Sequence, residues 1–430
     1  MAEKFDVIVV GCGPAGTSAA YILAKAGLNV IMIERGEYPG AKNVMGGILY
    51  RYPLEEIVPE FLAEAPLERP IVEQNLWILN KDSVIKTGYR GLEWAEAPHN
   101  NFTVFRAKFD QWYAKKAVEQ GALLITETVV TEVIVEDGRV KGVKTDRPDG
   151  ILYANIVILA DGVNSLLAKQ LGFHKEIKPS DVALATLEVI NLSSEKIEDR
   201  FNLEPNQGAT IEVFGDSTKG MMGTGFIYTN KESISIGVGA LLSDLAKNHQ
   251  RPHDLLEDFK QHRIIRKLIE GGEPKEYLAH LIPEGGYHAI PKLFGHGVMV
   301  VGDAAQLVNG IHREGSNLAM MSGKLAAETA ILANEVNDYS ENILSNYQQS
   351  LMGSFVGQDL KKYKDATHLL ATHPEYFNIY FPMLSKAASE MLTVDGDSKW
   401  KKQKNVINMV RERGIYRTAR DLFRLGRVMK

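Results

Sequence analysis

Six residues near the N-terminus constrain this chain more than any other feature. Gly11, Cys12, Gly13, Pro14, Ala15 and Gly16 form a G-x-G-x-x-G. They follow an apolar, β-rich run (FDVIVV, 5–10) and open an alanine-rich stretch from Pro14 to Ala26 that Gly27 closes. The pattern predicts strand, tight turn and helix, then a second buried strand over Asn29 to Ile33. Such a βαβ opening belongs to a parallel sheet with a right-handed connection. In this setting the first glycine makes the turn, the second lets backbone approach a diphosphate, and the third lets helix pack on strand. The helix start then offers N–H groups and partial positive charge to phosphates. Glu34, 18 residues after Gly16, ends the second strand, where a carboxylate accepts ribose hydroxyls. A ligand-free glycine turn would carry the same letters, but the flanking strand, helix and acid together argue for dinucleotide binding.

Two later stretches narrow the dinucleotide. Ala160-Asp161-Gly162 follows a buried strand and leads into Asn164-Ser165, and Gly302-Asp303-Ala304-Ala305 follows another strand, Val298 to Val301. Taken singly, each is an ordinary turn. In this order they resemble the late motifs of the FAD-dependent hydroxylase and reductase superfamily, where the second aspartate holds the ribitol and the diphosphate approaches that loop. FAD is therefore the expected cofactor. The helix starting near Gly315, Ser316 and Asn317 is placed to aim its N-terminal amides at the flavin and stabilise the reduced ring. No second G-x-G-x-x-G follows, so a dedicated NAD(P)H domain is not expected. Aromatic hydroxylases that bind NADPH without one stay open as an alternative.

The remaining chain supplies context. Residues 107–120 read as a helix, Thr128 to Thr145 as a hairpin turning at Asp137-Gly138, and Asn317 to Leu332 as a long helix. Several strand-like runs fall within 182–240, and the pattern is helical beyond about 340. The expected fold is α/β: a discontinuous Rossmann-like FAD-binding domain (1–50, 100–170 and 290–335), an inserted antiparallel β-sheet substrate or quinone domain (51–99 and 171–289), and a helical C-terminal region (336–430). The 430 residues are 45% hydrophobic and 24% charged, which excludes a disordered or fibrous chain. Its one cysteine, Cys12, excludes a disulfide framework and an iron–sulfur cluster held by this chain alone. The net charge is −5, but residues 399–430 carry 11 Lys/Arg against Glu412 and Asp421, leaving −14 on residues 1–398. An acidic body argues against nucleic acid as a partner. The apolar stretch Phe5 to Val10 runs straight into glycines, unlike a signal peptide, so a cytoplasmic or peripheral protein is expected.

Longer segments carry a closer resemblance. ERGEYPGAKNVMGGILY (34–50), FTVFRAKFDQWY (102–113), ILADGVNS (158–165), EGGYHAIPKLFGHGVMVVGDAA (284–305) and EGSNLAMMSGKLAAE (314–328) are similar to the FixC and electron-transfer-flavoprotein:quinone oxidoreductase family, and more distantly to geranylgeranyl reductases. The resemblance implies electron flow from electron-transfer flavoprotein alpha/beta subunits towards a membrane quinone. It implies a separate ferredoxin-like iron–sulfur subunit and a peripheral site on the inner face of the cell membrane. It places Arg35, Gly46, Gly47, Arg106 and Val130 at the cofactor, and Met222, Gly223 and Thr224 at the quinone, although the family's Tyr-Gly-Gly is altered there. His312 and Arg313 are candidates for tuning the flavin; no residue acid or base is required for the electron step itself. A surface pair of charges would look the same.

Two C-terminal stretches remain. His373-Pro374-Glu375 opens a run rich in aromatics that suits either a lipid-facing patch or a helix covering the core. Arg417, Arg420, Arg424 and Arg427 recur at helical spacing opposite Ile415, Ala419, Leu422 and Phe423, a basic amphipathic helix suited to anionic lipid or an acidic partner. Beside the FixC-like reading stand a stand-alone prenyl reductase, an NAD(P)H-dependent hydroxylase and a flavin-binding scaffold.

Overall fold

The computed structural model describes residues 4–43 and 47–430. The chain forms two units. The first comprises residues 1–71, 94–182 and 280–361; the second comprises 72–93, 183–279 and 362–430.

The first unit is built on a mainly parallel sheet. Strand Lys4–Val10 pairs in parallel with Val30–Ile33 on one side and Ile151–Leu159 on the other. Val298–Val300 and Leu123–Ile125 extend the sheet, again in parallel. These strands are short runs of Val, Ile, Leu and Met, and Ile8, Val9, Val157 and Met299 are fully buried. Strands covered on both faces read as continuous rather than alternating apolar runs. The register aligns their ends: Val10 lies opposite both Ile33 and Leu159, and Leu159 opposite Val300. The loops that follow, carrying Gly11, Glu34, Asp161 and Asp303, therefore emerge side by side at the carboxyl edge. Open α/β sheets bind ligands at this edge.

Helix Pro14–Lys25 starts with Pro at its first turn and buries Ala19, Ala20 and Leu23. Its close partner is the long helix Ser316–Glu335. Small residues set that approach: a Cβ on Gly323 would run into the carbonyl of Ala15. The hairpin Val130–Glu136 and Arg139–Thr145 turns at Asp137 and Gly138, both with positive φ, as a two-residue type I′ turn requires.

The second unit holds an antiparallel sheet in the order Glu273–Pro283, Val182–Asn191, Ser233–Leu241, Gly223–Thr229, Gly208–Gly215 and Leu67–Asn80, with Ser83–Arg90 paired to the last. Leu67–Asn80 and Glu273–Pro283 each carry the chain from one unit to the other. Helices Phe381–Leu392, Lys399–Arg413 and Ile415–Met429 complete this unit. Phe377, which is buried, and the part-buried Phe381 pack on Phe214. Among the described residues no helix is long and apolar enough to cross a membrane.

Candidate functional site

The loop Gly11–Gly16 has two kinds of glycine. Gly11 adopts φ +98°, and a Cβ there would collide with the carbonyl of Ala160; one on Gly16 would meet the carbonyl of Gly11. Gly13 has ordinary extended backbone, caps helix Pro14–Lys25 without a side-chain bond, and has nothing within 4 Å of its hypothetical Cβ. Gly11 and Gly16 thus close the turn, whereas Gly13 keeps the helix start open to a ligand. Pro14 and Ala15 are buried in the first helical turn.

Glu34 is fixed by backbone. Its Oε2 accepts from the N–H of Cys12 at 3.0 Å and its Oε1 from the N–H of Gly36 at 2.8 Å. Behind it, the N–H of Thr128 donates to the carbonyl of Glu34, and Val130 begins the next strand opposite Thr145. Asp161 accepts from the N–H of Leu167 at 3.2 Å through Oδ2, while its buried Oδ1 has no hydrogen-bond partner among the described residues. Burial pushes its carboxyl up, against the pull of nearby N–H groups and of Arg35. Ala160 lies under Gly11, and Gly162 takes the positive φ of the following turn.

The third loop is stapled to the second: Ser165 Oγ donates to the carbonyl of Ala304 at 2.9 Å, and the N–H of Gly302 donates to Ser322 Oγ. Burial raises the Asp303 carboxyl, and the Arg106 charge beside it opposes that shift. Arg106 is itself buried and paired twice with Asp110, Nε to Oδ1 and Nη2 to Oδ2, both at 2.7 Å. Gly315 precedes helix Ser316–Glu335 without a side-chain cap, and Asn317, buried in the first turn, has an Oδ1 with no partner among the described residues.

His312 and Arg313 sit at the tip of a turn closed by the pairing of Asn309 with Glu314. Asn309 Oδ1 caps that tip by accepting from Ile311 and His312 N–H groups. Gly47 is buried and accepts from the N–H of Val104, whereas Gly46 lies outside the described residues.

Met222, Gly223 and Thr224 belong to the second unit. The N–H of Met222 donates to Asp244 at 3.3 Å, Gly223 and Thr224 pair with Ala240 and Gly239 in the sheet, and the Thr224 hydroxyl donates to the carbonyl of Gly225. The amide of Met222 and the hydroxyl of Thr224 are thus already engaged within the sheet.

Two titratable groups here escape sequence reading. His280 is pushed down to about 4 by burial and by the charges of Arg106 and Arg35. Glu284 is pushed up to about 7 by burial, against the pull of Arg313, and its carboxyl lies directly against Gly310. Glu284 stands inside a segment whose family likeness is visible, but no motif singles out its carboxyl; His280 lies in none.

Comparison with known proteins shows the family. A family model described as FAD dependent oxidoreductase matches residues 6–169, and the ETF-QO/FixC family C-terminal domain matches 366–430. Protein FixC of Bradyrhizobium diazoefficiens is 47% identical over 100% of this chain and 99% of its own length. The chain belongs to the FixC family. A second member of this wider group, the probable electron transfer flavoprotein-quinone oxidoreductase YdiS of Escherichia coli, is 39% identical over 97% of each chain. A geranylgeranyl bacteriochlorophyll reductase-like protein of Thermoplasma acidophilum shares the fold, with TM-score 0.74 at 22% identity over 95% of this chain and 98% of its own. This FixC-family chain is an FAD-dependent oxidoreductase, and its residues fit the cofactor. The open Gly13 cradle and the unpartnered oxygens of Asp161 and Asn317 are the kind of groups a dinucleotide with ribose, diphosphate and ring edges satisfies.

Proposed function

We propose that this flavoprotein relays electrons from an electron-transfer flavoprotein, together with a separate ferredoxin-like iron–sulfur subunit, to a quinone at the membrane surface, as a FixC-like subunit of a Fix-type complex. The observation that carries the reading is full-length kinship to FixC in a chain whose single cysteine cannot ligate a cluster. FAD supplies the two-electron to one-electron chemistry; the chain supplies position and charge. In this reading segments 1–50, 100–170 and 290–335 hold FAD. Gly11, Gly13, Pro14, Ala15 and Gly16 take the diphosphate at the helix start. Glu34 accepts the ribose hydroxyls and is held for that by two backbone donors. Asp161, Asp303 and Arg106 line the ribitol and phosphate side, with Arg35, Gly46, Gly47, Val130, Ala160, Gly162 and Gly302 shaping the walls. The uncapped start of the helix at Gly315, Ser316 and Asn317 faces the ring with its N–H groups, and His312 and Arg313 add positive charge nearby. Residues 51–99 and 171–289 form the quinone domain, with Met222, Gly223 and Thr224 at the headgroup, and residues 336–430 carry the membrane-facing tail.

The test is isolation of the native assembly with its flavin and iron content. The reading expects FAD on this chain, iron on another subunit, fast reduction by the reduced flavoprotein partner and slow reduction by NADH. Rapid reduction of the isolated chain by NAD(P)H, accelerated by an aromatic acid, or turnover of geranylgeranyl lipids without partners, would overturn it.

A further inference from the structure

One face of the antiparallel sheet in the second unit carries a buried acid between two hydroxyls. Side chains two residues apart share a face, so Thr224, Phe226 and Tyr228 of strand Gly223–Thr229 stand together. Glu212 of strand Gly208–Gly215 pairs with Phe226 and joins them. The opposite face is covered by helix Pro252–Gln261, where the Phe259 ring leaves no room for a Cβ on Gly225. The charged groups of that face, Glu188, Glu257 and Lys260, bond to one another at 2.6 and 2.7 Å and lie across the sheet from Glu212. Glu212 is buried, whereas Thr224 and Tyr228 are each partly exposed. Its Oε1 accepts from the Tyr228 hydroxyl at 2.9 Å, and its Oε2 lies 3.3 Å from the Thr224 hydroxyl. That hydroxyl also reaches the carbonyl of Gly225 at 2.8 Å, and its one hydrogen serves either oxygen by rotation. The Tyr228 ring is held by stacking on Phe226, with centroids 5.1 Å apart, and the Phe226 ring fills the space of a Cβ on Gly237. The result is a bonded path from one partly exposed hydroxyl, through a buried carboxyl, to another.

We propose that Tyr228, Glu212 and Thr224 form a proton relay that ends at one carbonyl oxygen of the quinone. This rests on the reading that the quinone headgroup lies at Thr224. Reduction of a quinone to a quinol adds two electrons, supplied by the reduced flavin, and two protons. One proton moves along the relay, with the carboxyl holding a hydrogen on Oε2. The Thr224 O–H bond breaks as an O–H bond forms on the quinone oxygen. Oε2 then returns a proton to Thr224, Tyr228 gives one to Oε1, and water restores Tyr228. The other quinone oxygen takes its proton from solvent. A carboxyl suits the middle position because it takes a proton on one oxygen while it gives one from the other. An amide in its place keeps both contacts, accepting from Tyr228 and donating to Thr224, but passes no proton.

The experiment mixes the dithionite-reduced, FAD-loaded full chain with decylubiquinone in stopped flow from pH 6 to 8, in water and in deuterium oxide. Decylubiquinone Kd on the oxidised protein and the urea midpoint are measured alongside. Glu212→Gln should leave Kd and midpoint unchanged and slow quinone reduction about 100-fold at pH 8. Its rate should fall by about tenfold per pH unit, because hydronium from solvent replaces the relay, while the wild-type rate changes little. Tyr228→Phe, which cuts the outer end, should show the same slope and a smaller loss. A Glu212→Gln rate with the wild-type pH profile and solvent isotope effect would overturn the relay and leave the quinone site standing. Loss of rate with a lowered midpoint and no change of pH slope would also overturn it, since that is the mark of a purely structural acid. Thr224→Val tests the level beneath. If it alters neither decylubiquinone Kd nor rate, or if the reduced wild type does not react with decylubiquinone, the headgroup does not lie at Thr224 and the relay falls with that reading.

Discussion

Gly11 and Gly13 stand two residues apart and answer to different constraints. Gly11→Ala forces a side chain to φ +98° and into the carbonyl of Ala160, so it should cost about 1–3 kcal/mol of stability. Gly13→Ala meets neither obstacle and should change stability by at most about 1 kcal/mol, the ordinary difference at a helix cap. On the proposed reading it nevertheless adds a methyl where the diphosphate would approach, so FAD affinity should fall at least about tenfold. Urea unfolding and FAD titration on the same two variants separate these effects; equal FAD loss with equal destabilisation would refute the distinction. Glu284 gives a pH-dependent counterpart. Its folded value, about 7, lies above the ordinary value near 4.5, so its neutral form is favoured by folding. The relative stability is therefore full below pH about 4.5 and is lost as pH rises through 7. Glu284→Gln should gain roughly 1–3 kcal/mol over the wild type at pH 8 and little at pH 4, read from urea midpoints. The sequence shows Gly11, Gly13 and Glu34 because their spacing is a local, chain-contiguous signal. It cannot show that the Glu284 carboxyl lies against Gly310, since that meeting depends on long-range packing.

At the scale of elements, the Gly11–Gly16 loop owes its position to a helix far away in sequence. Helix Ser316–Glu335 lies so close to Pro14–Lys25 that Gly323 has no room for a Cβ beside the carbonyl of Ala15. Gly323→Ala should therefore destabilise the first unit by about 1–3 kcal/mol and weaken FAD binding as well, because Ala15 belongs to the loop. A change in urea midpoint without an accompanying loss of FAD affinity would show that loop and helix are not coupled. The parallel strands Lys4–Val10, Val30–Ile33, Ile151–Leu159 and Val298–Val300 and the Asp137-Gly138 hairpin are readable from the sequence, since buried Val/Ile runs and a two-residue Asp-Gly turn leave few options, whereas the short parallel strand Leu123–Ile125 is not. The antiparallel strand Leu67–Asn80 is not. It contains Pro70, Glu73 and Asn75, and its regularity comes from Ser83–Arg90 beside it rather than from its own pattern. Glu273–Pro283 is exposed over its first five residues and shows no alternation.

Across the whole molecule, charge is divided more sharply than the net value suggests, with −14 on residues 1–398 against +9 on the last 32. The structure uses one tail acid internally. Asp421 is buried, bonded by Tyr380 and faced by Arg413 and Arg420, which fixes one side of helix Ile415–Met429 against its own unit. The opposite side leaves Tyr416, Leu422 and Phe423 exposed beside Arg417 and Arg427, for which no ion pair is found among the described residues. An apolar stripe flanked by cations is the composition of a helix lying in a membrane interface, where each basic residue near an anionic surface contributes about 1 kcal/mol. On the proposed membrane reading, the full chain should sediment with vesicles containing phosphatidylserine, and less so as salt rises. Changing Arg417, Arg424 and Arg427 together to Gln should then weaken partitioning roughly 100-fold, while Phe423→Ala lowers it without altering its salt dependence. These arginines are exposed, so the triple variant should keep its FAD and its unfolding midpoint. Vesicle binding that survives the triple change would mean that some other surface docks, and binding that ignores lipid charge would make the apolar stripe, rather than the arginines, the anchor.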